Sequence, residues 1–80
     1  MKIRKDIAIS ETGFVFNPSS GESYTVNNIG IELFNYLKEE KSYEEIRDLI
    51  LEKYDATEAI FEKDYQDFIA ILGNNNLLEN

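Results

Sequence analysis

The apolar residues of this chain change their spacing once, at Val26. Before that point they recur every second residue; after it they recur every third or fourth. The first period belongs to a half-buried strand and the second to an amphipathic helix. The chain therefore divides into a β half followed by a helical half, and its 80 residues allow one domain.

In the β half, residues 2–9 alternate, with Ile3, Ile7 and Ile9 on one face and Lys2, Arg4, Asp6 and Ala8 on the other. This pattern predicts a first strand over about 2–9. Ser10-Glu11-Thr12-Gly13 is a turn, with Gly13 free to adopt positive φ. Phe14 and Phe16 share a face across Val15, giving a second strand over about 13–17. Asn17-Pro18-Ser19-Ser20-Gly21 is a stronger turn, because proline is pre-set for its first central position. A third strand over about 22–26 places Tyr24 and Val26 on one face and Ser23 and Thr25 on the other. Short turns between consecutive strands predict an antiparallel meander with the first and third strands at its edges.

The helical half carries its own start and stop signals. Asn27 or Asn28 can cap a helix over about 28–40, with Ile29, Leu33, Phe34 and Leu37 as its apolar stripe. Ser42-Tyr43-Glu44-Glu45 is a capping box, opening a helix over about 43–54 that is lined by Ile46, Leu49, Ile50 and Tyr54. Thr57 or a neighbour restarts the pattern for a third helix over about 59–75, whose core stripe is Phe61, Tyr65, Phe68 and Leu72. Asn76 suits a left-handed C-cap, after which Leu77 and Leu78 fold back against the helix end. A three-stranded antiparallel meander followed by three helices is an α+β fold of winged-helix-like order.

Composition removes whole classes of chemistry. The chain has no His and no Cys. It therefore lacks an imidazole base, a thiolate nucleophile, disulfides and the usual ligands of zinc, haem and iron–sulfur clusters. Paired carboxylates (Glu39-Glu40, Glu44-Glu45, Asp64 with Asp67) leave hard-cation binding open in principle, but no calcium-loop spacing is present. The carboxylates read as solvated helix faces, and neither a metal nor a cofactor is expected. Net charge is −8, from 16 acidic and 8 basic side chains, which disfavours contact with nucleic-acid phosphates. No apolar run has the length of a secretory signal or a membrane span, so a cytoplasmic protein is expected.

Four fragments, in order, resemble the PqqD-like family, also described as RiPP recognition elements. They are Tyr24-Thr25-Val26-Asn27 entering the first helix, Ser42-Tyr43-Glu44-Glu45-Ile46 opening the second, Asp64-Tyr65 with Phe68-Ile69 and Leu72 in the third, and the closing Leu77-Leu78-Glu79. The chain departs from the family pattern at Val26, Tyr65, Gly73 and Asn76. The resemblance extends over essentially the whole chain. It implies a peptide-binding protein with no catalytic group. Such a protein takes the leader segment of a ribosomally made precursor as an extra strand on its third strand, beside the third helix. It presents that leader to a modifying enzyme, often a radical SAM enzyme.

The residues can be weighed beside that implication. The third strand carries no Pro and no Lys, the usual protectors of an edge, whereas Lys2, Arg4 and Lys5 sit on the first strand. One edge is thus expected to be guarded and the other open to strand addition, unless the third helix covers it. The third helix also has a second stripe, Ile60, Asp64, Asp67 and Ile71. These residues either line a groove, with the aspartates available to a basic or amide group, or only widen the core. Asp64 has a further reading, as an early-helix anion favoured by the macrodipole. The expected peptide-binding residues are therefore Glu22, Ser23, Tyr24, Thr25 and Val26 on the strand, and Ile60, Asp64, Asp67, Phe68 and Ile71 on the helix.

Other functions fit less well. A winged-helix DNA reader needs cations on its third helix, but residues 59–75 hold Glu62, Asp64 and Asp67 against Lys63. A stand-alone enzyme lacks its usual catalytic side chains. An acidic adaptor or regulatory subunit using the same edge strand for another protein remains the alternative, with net charge favouring a basic partner. A monomer or weak homodimer is expected, since an open edge can also pair with a second copy.

Overall fold

The computed structural model describes residues 2–79. In chain order the elements are β1 (Lys2–Ile3), β2 (Ala8–Ile9), β3 (Phe14–Asn17), β4 (Glu22–Thr25), α1 (Asn28–Lys38), α2 (Tyr43–Lys53), α3 (Glu58–Asn74) and β5 (Leu78–Glu79). Strands β2, β3 and β4 form the antiparallel meander in that order. The register pairs Ala8 with Phe16, Val15 with Tyr24 and Asn17 with Glu22.

The alternating segment 2–9 is not one strand, which corrects the expectation from its sequence. The Ile7 amide donates to the Arg4 carbonyl at 3.2 Å, closing a turn through Lys5 and Asp6. Lys38, at the end of α1, donates to the carbonyls of Ile7 at 3.1 Å and Lys5 at 3.3 Å. The turn still buries both Ile3 and Ile7, so side-chain alternation alone could not reveal it. Its consequence is topological. β2 joins the meander, while β1 pairs antiparallel with β5 through Lys2–Glu79 and Ile3–Leu78. The basic residues expected to guard a free edge thus sit partly on a ribbon made with the C-terminal segment.

That ribbon depends on how α3 ends. Asn76 takes φ 59°, and the Leu77 amide donates back to the Leu72 carbonyl at 2.9 Å, a Schellman arrangement. The chain reverses, Leu77 enters the core, and Leu78 reaches β1. The helix starts follow their capping residues. Asn27 Oδ1 accepts from the Gly30 amide at 2.8 Å, and Thr57 Oγ1 accepts from the Ile60 amide at 3.2 Å. Ser42 and Glu45 complete a reciprocal capping box at α2.

The core lies between one sheet face and the three helices, around Phe34, Leu33, Ile46, Ile50, Phe61 and Leu72. Tyr43 joins α2 to α3, its ring 5.7 Å from Phe61 and 5.0 Å from Tyr65 between centroids. On β3 it is Val15 and Asn17 that point inward. Phe14 and Phe16 do share a face, and it is the outer one, where they remain 49% and 40% exposed.

Candidate functional site

Hydrogen-bond parity decides which backbone groups β4 offers. The Val26 amide donates to the Gly13 carbonyl at 2.8 Å. In an antiparallel ladder the bonded pairs then fall at every second residue, at Val15–Tyr24 and Asn17–Glu22. Ser23 and Thr25 accordingly aim their N–H and C=O groups away from β3. β4 is the last strand of its sheet, and no other backbone segment among the described residues bonds to those groups. Glycine at position 13 makes the close pairing possible: its φ is +91°, and a Cβ there would collide with the Val26 carbonyl oxygen.

Beside this edge lies a groove of about 310 Å³. Thr25, Val26 and Asn27 form the wall where β4 runs into α1. Ile29, Gly30 and Leu33 continue it along α1, and Asp64, Phe68 and Ile71 form the opposite wall on α3. On the α3 wall Phe68 is buried, at 7% exposure, whereas Ile71 is 51% exposed. α1 and α3 thus hold apart two walls that are apolar except for Asp64, Thr25 and Asn27.

The structure divides the residues expected at this place. Thr25, Val26, Asp64, Phe68 and Ile71 surround the groove. Glu22, Ser23 and Tyr24 lie on β4 outside the groove lining; Ser23 faces the open edge by parity, and Tyr24 turns toward the core. Burial raises the Tyr24 phenol pKa, and the Glu22 carboxylate adds to that rise. Ile60 is 54% exposed on α3 but stands away from the groove. Asp67 is also outside it, held by Lys63 at 3.1 Å. Asn27, Ile29, Gly30 and Leu33 were not anticipated. One signal for them was available: a glycine in the first turn of a helix, where its propensity is poor. A Cβ on Gly30 would stand 2.9 Å from Val26 Cβ, so glycine permits the close approach of α1 to the end of β4.

The cations of the helical half are already engaged. Lys53 meets Glu32 at 2.6 Å, Arg47 meets Asp48 at 3.1 Å, Lys41 meets Glu39 at 3.4 Å, and Lys38 holds the β1–β2 turn. Burial opposes ionisation of Glu32, but the Lys53 ammonium bonded to it outweighs that burial and lowers its pKa. No set of side chains suited to a metal ion occurs among the described residues, and no helix there is long and apolar enough to cross a membrane.

An open strand edge beside a groove of mixed apolar and polar lining, on a meander backed by three helices, is a winged-helix-like arrangement whose free edge has the form of a template for strand addition. The family model for coenzyme PQQ synthesis protein D (PqqD) matches residues 13–78, and the chain belongs to that family. Among solved structures the chain is similar to TbiB1 in complex with the TbiA(beta) leader peptide. That likeness has TM-score 0.88 and 28% identity, covering 100% of this chain and 96% of that one. It is also similar to lasso peptide synthetase B1 complexed with the leader peptide, with TM-score 0.80 and 18% identity, covering 92% and 91% of the two chains. At that identity the second likeness supports the fold alone. No curated protein matches the chain significantly.

Proposed function

We propose that this chain is a RiPP recognition element. It binds the leader segment of a ribosomally synthesised precursor peptide as an added strand on β4, and presents it to a modifying enzyme. The observation that carries the reading is the pair of outward-facing residues, Ser23 and Thr25, beside the groove between β4, α1 and α3. The leader-bound TbiB1 structure, alike over the full length of this chain, supports it. The residues from Glu22 to Val26 supply the backbone template. Phe68 and Ile71 supply apolar contact for inward side chains of the leader.

On this reading the chain works as a single peptide-binding domain and an adaptor without catalysis of its own. Its place is the cytoplasm, where precursor and enzyme meet, and the family resemblance implies a radical SAM enzyme as partner. The test is an ¹⁵N-HSQC titration with synthetic leader segments of precursor peptides encoded beside its gene. Shifts concentrated at residues 22–30 and on the 64–71 face are expected. Saturable binding that leaves both regions unmoved would instead favour an adaptor using another surface.

A further inference from the structure

We propose that Asp64 is the specificity-determining residue of this groove and selects a leader carrying one Lys or Arg two to four residues from an apolar anchor. The inference rests on the leader-binding reading and adds to it the chemistry of the segment recognised.

Asp64 is the one charged side chain among the residues lining the groove. It takes part in no ion pair among the described residues, whereas Asp67, one turn further on, is matched by Lys63. Its position also removes the helix-start explanation. α3 begins at Glu58, so Asp64 sits in the second turn, beyond the reach of the dipole's stabilising end. Asp64 is exposed to solvent in the free chain, and among the described residues no side-chain hydrogen bond or ion pair uses its carboxylate. A peptide lying along the β4 edge and over Phe68 takes water away from the groove. An ionised carboxylate stripped of water without a partner is strongly unfavourable, so a wholly apolar segment is disfavoured there. A basic side chain supplies the missing partner. The surplus negative charge of the whole chain favours its approach.

The geometry sets the spacing. Asp64 and Ile71 are seven residues apart, about 10.5 Å along the helix at about 1.5 Å per residue. An extended strand covers that distance in about three residues. Basic residue and apolar anchor therefore stand two to four positions apart in the leader.

The experiment is selection of a random-peptide display library against the wild-type chain, Asp64→Asn and Asp64→Lys. Each is first checked for an unchanged thermal transition. Wild type should enrich peptides with Lys or Arg at that spacing from an apolar residue. Asp64→Asn should lose the basic preference, and Asp64→Lys should replace it with Asp or Glu. A selected peptide should bind Asp64→Asn roughly 3- to 10-fold more weakly, and its Lys→Gln version should show no further loss on that variant. Peptides that compete at the groove but show no basic preference, or one indifferent to Asp64, overturn this inference and leave the leader-binding reading standing. Failure to enrich any peptide sensitive to Ile71→Lys overturns both.

Discussion

Replacing Thr25 by proline separates the backbone contribution of β4 from everything else in the groove. The Thr25 amide points to the open edge, while the ladder to β3 runs through Tyr24 and Val26. Proline at 25 therefore removes one outward donor and sets its ring where an incoming carbonyl would approach, yet the meander keeps its bonds. A net backbone hydrogen bond is worth about 0.5–1.5 kcal/mol, and a carbonyl left unpaired under the added strand costs about 1–3 kcal/mol more. A combined loss of roughly 1.5–4.5 kcal/mol is about a 10- to 2,000-fold rise in Kd. The effect on the free protein should stay within about 1 kcal/mol, so the midpoint of thermal unfolding should move by no more than about 4–8 °C. Titration calorimetry with a bound leader segment reads the first quantity and a thermal melt the second. Thr25→Ala, which keeps the amide, should retain most binding. Tyr24→Pro, which breaks the ladder to Val15, should mainly destabilise the fold. If Thr25→Pro binds within about twofold of wild type, the leader does not pair with β4 and the parity argument fails.

Other perturbations test the groove and the scaffold. Phe68→Ala removes a side chain that both lines the groove and belongs to the core, and should lower stability by about 3–5 kcal/mol in a urea melt. Ile71→Lys, at an exposed position, should change stability by less than about 0.5 kcal/mol while weakening leader binding at least about tenfold in calorimetry. Gly30→Ala would ordinarily stabilise a helix by about 1 kcal/mol. Here the added methyl meets Val26, so a melt should show no gain and a titration weaker binding. Backbone and side-chain bonds with Ser42 lower the Glu45 pKa, as the bond from Ser19 lowers that of Asp6. Their stabilisation is therefore complete above the ordinary carboxylate range and is lost as pH falls through the lowered folded values. Glu45→Gln should flatten that acid limb in melts recorded from neutral pH downward.

Local signals in this sequence were legible because each is settled within a few residues. Ser42 and Glu45 can cap α2 whatever surrounds them, and Asn76 suits a left-handed turn wherever a helix must stop. The single change of period at Val26 fixed the order of β and α halves for the same reason. Half of the groove was legible too, since Thr25, Val26, Asp64, Phe68 and Ile71 stand out by strand position or helix stripe. The α1 wall was not, because Ile29 and Leu33 carry the same apolar signature whether they face a core or a groove.

Only the tertiary structure could decide matters that turn on distant partners. The segment 2–9 alternates as one strand would, but Leu77 and Lys38 take up its backbone groups and split it into β1 and β2. Alternation shows that Phe14 and Phe16 share a face but not which one, and the sheet turns them outward because Val15 and Asn17 occupy the face toward the helices. Asp64 and Asp67 are equivalent on a helical wheel's acidic stripe. The packing of α3 beside β4 and α1 puts Asp64 in the groove lining, while Asp67 lies outside it and pairs with Lys63 on its own helix. Periodicity specifies which residues share a face, but what that face meets depends on contacts made across the chain.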